Sequence, residues 1–325
     1  MSKKLKDALE LLLSENPPVT ATDKVEPARD DGDDLHVPFG DEAEIKNADL
    51  NGQRHGDEGR VDSDIDVMPT GYRPNQQVQI EKQPLINHGL RPQGTNLESI
   101  DRQFGRIKRP IINNAFSYRA GSVENANVIM VVSPLAGSGK SMCSFNLAAR
   151  IARERDYGVL LVDADVVRQN LSKGMGLDRR VGLMDYLVDS TVHLNDILIS
   201  TDLDDIFVIP AGKRNDEATE LIASKRMHEL VSALTKLYPN RAIIFDTPPL
   251  LATSEAHVLI GHAGQIVFII EAGVATHDSV LQALALLDRD KPINAILNKS
   301  PDLYSSDRYF TRYDYYPVTG ADEND

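Results

Sequence analysis

Apolar residues are scattered through the first hundred or so positions and then gather into regular runs. The runs are Val128–Val132, Val159–Val162, Ile206–Ile209, Ala242–Phe245, Gln265–Ile270 and Ile293–Leu297. They are continuous rather than alternating, as strands covered on both faces require. Between them lie stretches of helical spacing near 140–156, 219–238, 253–261 and 277–288. Strand–helix alternation sustained from about 125 onward predicts an α/β fold with a doubly wound, mostly parallel sheet. Upstream, Ile100, Phe104 and Ile107 mark one face of a helix over about 97–108, which Pro110 should end or kink. At the N-terminus, Leu5, Ala8, Leu9 and Leu12 share a face, predicting a short amphipathic helix over 1–14.

Charge divides the chain differently. The 325 residues carry 35 bases and 49 acids, a net charge of −14. Residues 15–66 alone hold 16 acids and 5 bases, with runs such as Asp30-Asp31-Gly32-Asp33-Asp34. Such a segment buries too little apolar surface to offset the entropy of ordering, so 15–95 is expected to be a disordered acidic linker. The acidity also excludes a general nucleic-acid binder, since no surplus of cations would neutralise phosphates. One cysteine, Cys143, excludes a disulfide framework and suits a reducing cytosol. No run of about 18 apolar residues is present, so no transmembrane helix is expected.

The candidate chemistry begins where the first strand ends. Ser133-Pro134-Leu135-Ala136-Gly137-Ser138-Gly139-Lys140-Ser141 runs from a strand into a helix and fits a P-loop, with Pro134 at the place of the usual first glycine. Gly137 and Gly139 allow backbone N–H groups to approach phosphate oxygens closely. Lys140 can reach the β- and γ-phosphates of ATP, and Ser141 offers a hydroxyl to Mg²⁺. Ser138 and Met142 belong to the same loop and first helical turn, beside a helix N-terminus that favours anions. Asp163 and Asp165 close the second strand, and Asp246 closes another. Ligands bind where parallel strands end, and an acid after four apolar residues fits a site better than a core. Asp246 is a candidate magnesium ligand, direct or through water. Asp163 or Asp165 can accept a proton from an attacking hydroxyl.

These motifs, in this order, resemble the bacterial tyrosine kinases, a P-loop family with a MinD/ParA-like fold. The resemblance covers about 97–316 and is closest to single-chain cytoplasmic autokinases of exopolysaccharide clusters, including the exosortase-associated group. Ser133–Ser141 is similar to the family's first motif, Leu161–Asp165 to its second and Ile244–Leu250 to its third. Ile209-Pro210-Ala211-Gly212-Lys213 and Ile296-Leu297-Asn298-Lys299 also match, and Asn298 resembles an adenine-side contact. The resemblance implies a kinase domain over 96–299, with Lys140, Asp163 and Asp165 catalytic and Ser141, Asp163 and Asp246 at the metal. It further implies that a tail over 300–325 is phosphorylated by neighbouring protomers. Five of the ten tyrosines stand there: Tyr304, Tyr309, Tyr313, Tyr315 and Tyr316. A homo-oligomer, a membrane polysaccharide co-polymerase that activates the kinase, and a resetting tyrosine phosphatase are implied partners. The implied location is cytoplasmic, peripheral to the inner membrane.

One departure bears on this expectation and another on its rival. Gln103, Arg106 and Arg109 occupy positions where the family's assembly segment has a glutamate followed by two arginines. Leu135 stands where the rival partitioning ATPases of the MinD/ParA type carry a second lysine. A nucleotide-sensing scaffold without chemistry is the third reading, and the tyrosine cluster favours the kinase over both.

Overall fold

A computed structural model describes residues 70–92, 97–117 and 123–300. The expected helix at 1–14, the acidic stretch up to 69 and all five tail tyrosines lie outside these residues. Eight strands form one sheet among the described residues: β1 (Gln76–Val78), β2 (Val128–Val132), β3 (Gly158–Asp163), β4 (Ile199–Thr201), β5 (Ile206–Ile209), β6 (Arg241–Asp246), β7 (Gln265–Glu271) and β8 (Ile293–Asn298). Their spatial order is β1-β4-β5-β3-β6-β2-β7-β8, and every neighbouring pair is parallel except β4 with β5. The helices are α1 (Lys82–Asn87), α2 (Leu97–Phe116), α3 (Lys140–Ile151), α4 (Asn170–Gly174), α5 (Leu183–Val188), α6 (Leu194–Ile197), α7 (Ala218–Ile222), α8 (Lys225–Leu237), α9 (Ser254–Gly261) and α10 (His277–Ala285).

The continuous apolar runs are the central strands. Every residue of β2 and β3 is buried, because helices cover both faces. The expected doubly wound sheet is therefore observed. Each of the six expected strands forms within a residue of its expected bounds, and β1 and β4 are additional.

Three expectations need correction. The linker does not extend to 95, and the folded body starts before 96. From about 70 to 92 the chain lies against the sheet: Gly71 donates to the Leu237 carbonyl, and β1 pairs with β4 in the register Gln76↔Ile199. Ile80, Leu85 and Leu90 are buried in the core, anchoring a segment whose average composition is polar. The helix near 97–108 continues through Pro110 to Phe116. A proline inside a helix costs about 3 kcal/mol. Beyond it, Ile111 and Ala115 are buried, and Gln265 donates to the Ile111 carbonyl at 3.1 Å, which offsets that cost. The single helix near 219–238 is two, α7 and α8. Ser224 breaks it by turning extended and capping α8 through the Met227 N–H.

Candidate nucleotide and phosphoryl-transfer site

β2, β3 and β6 are neighbours, so their carboxyl ends deliver the P-loop, Asp163 and Asp246 to one place. Asp163 and Asp246 are register partners across β3 and β6. Thr247 donates to the Val131 carbonyl at 2.8 Å, and the Leu250 N–H donates to the Ser133 carbonyl at 2.9 Å. The loop after β6 is thereby laced to the strand that launches the P-loop.

The P-loop holds its turn by internal bonds. Ser133 and Ser138 both donate to the Leu135 carbonyl, at 2.7 and 2.8 Å. Gly137 and Gly139 have φ of 83° and 90°, left-handed values that favour glycine. Gly139 also leaves room for Asn298: a Cβ there would lie 2.2 Å from Asn298 Nδ2. Asn298 donates to the Ser138 carbonyl and Lys299 to the Gly137 carbonyl, each at 2.8 Å. Lys299 is also paired with Glu271 at 2.9 Å. The end of β8 thus braces the phosphate loop from outside. The sequence points to Asn298 only as an adenine-side residue, and Lys299 carries no motif of its own.

Lys140 is buried and donates to Ser133 at 3.1 Å. Burial lowers its pKa, opposed by the negative field of Asp246 and Asp165. Asp246 is fully buried; Ser144 donates to its Oδ1 at 3.1 Å, and the Ser141 hydroxyl also acts on it. Burial raises its pKa, against the Ser141 hydroxyl and Lys140. Asp163 is equally buried, and Ser172 donates to its Oδ2 twice, from the backbone at 2.8 Å and the hydroxyl at 2.6 Å. Burial and the neighbouring Asp246 together raise its pKa well above the carboxylate range. Asp165 is nearly buried and accepts the Arg168 N–H at 3.2 Å. Met142 is half-buried against the core, its carbonyl accepting from Asn146. Cys143 is buried, and desolvation pushes its thiol up to about 12, which leaves it inert.

Asp163 Oδ1 and Asp246 Oδ2 are buried with no hydrogen-bond partner among the described residues. A buried carboxylate oxygen without a donor is costly, and a cation or hydroxyl arriving with the nucleotide would satisfy it. No group of three or more metal-ligating side chains occurs among the described residues. Magnesium is compatible with this donor set, because it takes one or two carboxylates and leaves its other positions to phosphate and water. Ser172 is the residue that sequence reasoning missed. It lies nine positions past Asp163 in a short helix, and nothing in its surroundings marks it.

The chain matches the AAA domain family over residues 126–294, more than half its length. The Bacillus subtilis tyrosine-protein kinase YwqD is 30% identical over 172 residues, covering 52% of this chain and 71% of YwqD. The Acinetobacter johnsonii tyrosine-protein kinase ptk is 30% identical over 47% of this chain but only 20% of its own length. Among solved structures, the kinase domain of Escherichia coli tyrosine kinase ETK superposes with a TM-score of 0.52. It is 22% identical, over 75% of this chain and 97% of that domain, a likeness of fold.

Proposed function

Because the chain belongs to the bacterial tyrosine kinases, we propose that it transfers the γ-phosphoryl group of ATP to tyrosines in the tail of a neighbouring copy. The observation that carries this reading is the buried pair Asp163 and Asp246 at adjacent strand ends, each with one carboxylate oxygen unsatisfied beside the P-loop. A partitioning ATPase reading lacks its second cation, since the position is Leu135.

The backbone of 137–141 and the Lys140 ammonium hold the phosphates, with the α3 N-terminus adding its field. Ser141 and Asp246 would hold Mg²⁺, with Asp163 beside them; the ion neutralises charge on the β- and γ-phosphates. Asp163 takes the proton from the tyrosine hydroxyl. A tyrosine has a pKa near 10. Asp163 acts as base in its ionised form, which a cation arriving with the nucleotide beside its free Oδ1 would favour against the burial that raises its proton affinity. Ser172 fixes the Oδ2 edge of Asp163, leaving Oδ1 to the substrate. Asp165 supports the field at Lys140.

The family setting supports a further reading: a homo-oligomer at the inner membrane, activated by a polysaccharide co-polymerase, reset by a phosphatase, and serving exopolysaccharide export. No helix among the described residues is long and apolar enough to cross a membrane. The test is incubation with Mg-ATP, with and without the activator, followed by phosphotyrosine detection and site mapping. Intact chain is expected to label; Lys140→Met and a chain ending at 300 are not. An intact chain that stays unlabelled with its activator present overturns the assignment.

A further inference from the structure

The catalytic aspartates are framed by a basic rim that the mechanism above does not use. Asp163 is tied through Ser172 to the turn after β5, because the Ala211 N–H donates to the Ser172 hydroxyl at 3.0 Å. That turn is fastened from two sides. The buried Gln169 side chain donates to the Gly212 carbonyl at 2.8 Å. The Leu183 and Met184 N–H groups donate to the Pro210 and Ala211 carbonyls. At Gly182 the packing is so close that a Cβ would lie 2.2 Å from the Pro210 carbonyl oxygen. Three loops therefore meet at the site, and each presents exposed cations next to its point of contact. Arg168 precedes Gln169, Lys213 and Arg214 follow Gly212, and Arg180 lies two residues before Gly182. Arg168 is close enough for its charge to act on Lys140. The exposed apolar side chains Val167 and Val181 sit among them. The acids of the same loops are Asp178, Asp216, Glu217 and the half-buried Asp185, which accepts from the Gly182 and Lys213 N–H groups; with Arg179 the bases number five, so the rim keeps a positive excess of one.

Resting on the kinase reading, we propose that Arg168, Arg180, Lys213 and Arg214 select tyrosines with acidic flanks in the tail of a second copy of this chain. The occupant is argued from charge and reach. Residues 300–325 hold six acids and two bases. They follow directly from Asn298 and Lys299, which brace the P-loop. Tyr304 stands five residues past Lys299, a reach of up to about 18 Å, so a second copy must lie against this face to place that tyrosine on the rim. Complementary exposed charges add modest affinity but strong discrimination among similar sites. The tail supplies its own contrast. Tyr304 lies between Asp302 and Asp307, whereas Tyr309 lies between Arg308 and Arg312.

The experiment compares initial labelling rates at each tail tyrosine, by mass spectrometry, in the intact chain and a Lys213→Glu/Arg214→Glu variant. Labelling of Tyr304 should fall about fivefold, as one or two exposed ion pairs supply, with Tyr309 and the KM for ATP unchanged. An equal fall at both tyrosines, or a raised KM for ATP, assigns the rim to the nucleotide and overturns the proposal. No change at either tyrosine also overturns it. A second variant, Asp302→Lys/Asp307→Lys, leaves the folded body untouched and should lower Tyr304 labelling alone. Binding of a fluorescent peptide of residues 300–308 to the intact chain separates this inference from the kinase reading. Salt-sensitive binding that Lys213→Glu/Arg214→Glu abolishes, without any phosphoryl transfer, upholds the rim and refutes the kinase. Transfer with an unaltered site pattern does the reverse.

Discussion

A methyl group added at Gly139 would meet Asn298 Nδ2 at 2.2 Å in a backbone already at φ 90°. Gly139→Ala should therefore either push Asn298 off the Ser138 carbonyl or flatten the loop. Left-handed strain of about 1–2 kcal/mol per residue predicts a roughly five- to thirtyfold loss of ATP affinity by calorimetry. Asp163 makes a different prediction, because its raised pKa costs stability. In the unfolded chain it titrates near 4, and in the fold it holds its proton to higher pH. Stability from this group is full below the unfolded pKa and declines as pH rises through the folded one. Asp163→Asn removes that decline. Its melting temperature should exceed that of the parent at pH 8, by more than about 2 °C, with the gain shrinking as pH falls and vanishing only below about pH 4. Labelling should be lost while ATP binding persists. The P-loop and both strand-end aspartates were legible because each is a short local pattern. Ser172 was not, since its role comes from α4 folding back beneath Asp163, a tertiary fact with no sequence period.

At the scale of elements, legibility followed burial on both faces. β2, β3 and β6 are continuous apolar runs and read plainly; β1 and β4 are three-residue edge strands with little pattern to read. The folded segment of 70–92 was hidden in the same way. Its anchors, Ile80, Leu85 and Leu90, stand singly among polar residues, so a composition average assigns them to the acidic linker. The contacts say otherwise. Leu90 packs on α4, where a Cβ at Gly174 would lie 2.4 Å from its Cδ1, and its carbonyl accepts from Asn146 of α3 at 2.8 Å. One residue thus joins the helix that follows the P-loop to the helix that orients Asp163. Leu90→Ala should cost about 2–5 kcal/mol in denaturant unfolding, and should slow labelling beyond what the folded fraction explains.

For the whole molecule, the charge budget separates the working body from its ends. With residues 15–66 and 300–325 set aside, acids and bases nearly balance, so the long-range field near the site is set by the local rim and aspartates. Deleting 2–66 should leave the melting temperature of the body within about 2 °C, because it leaves every contact of the described residues, from Gly71 onward, in place. The tail poses the sharper question of which site it serves. Tyr304 is five residues past Lys299, and five extended residues reach at most about 18 Å. That reach begins beside the chain's own P-loop, so transfer within one copy and transfer between copies have to be told apart by experiment. Trans transfer can be isolated by mixing two chains that are inert alone. Lys140→Met keeps the tail and loses the phosphate lysine; the chain ending at 300 keeps the site and loses the tail. Together they should label the Lys140→Met chain, at a rate that rises with the concentration of the truncated one. Labelling that never appears in the mixture, while the intact chain labels at a rate independent of dilution, would place the transfer within one copy.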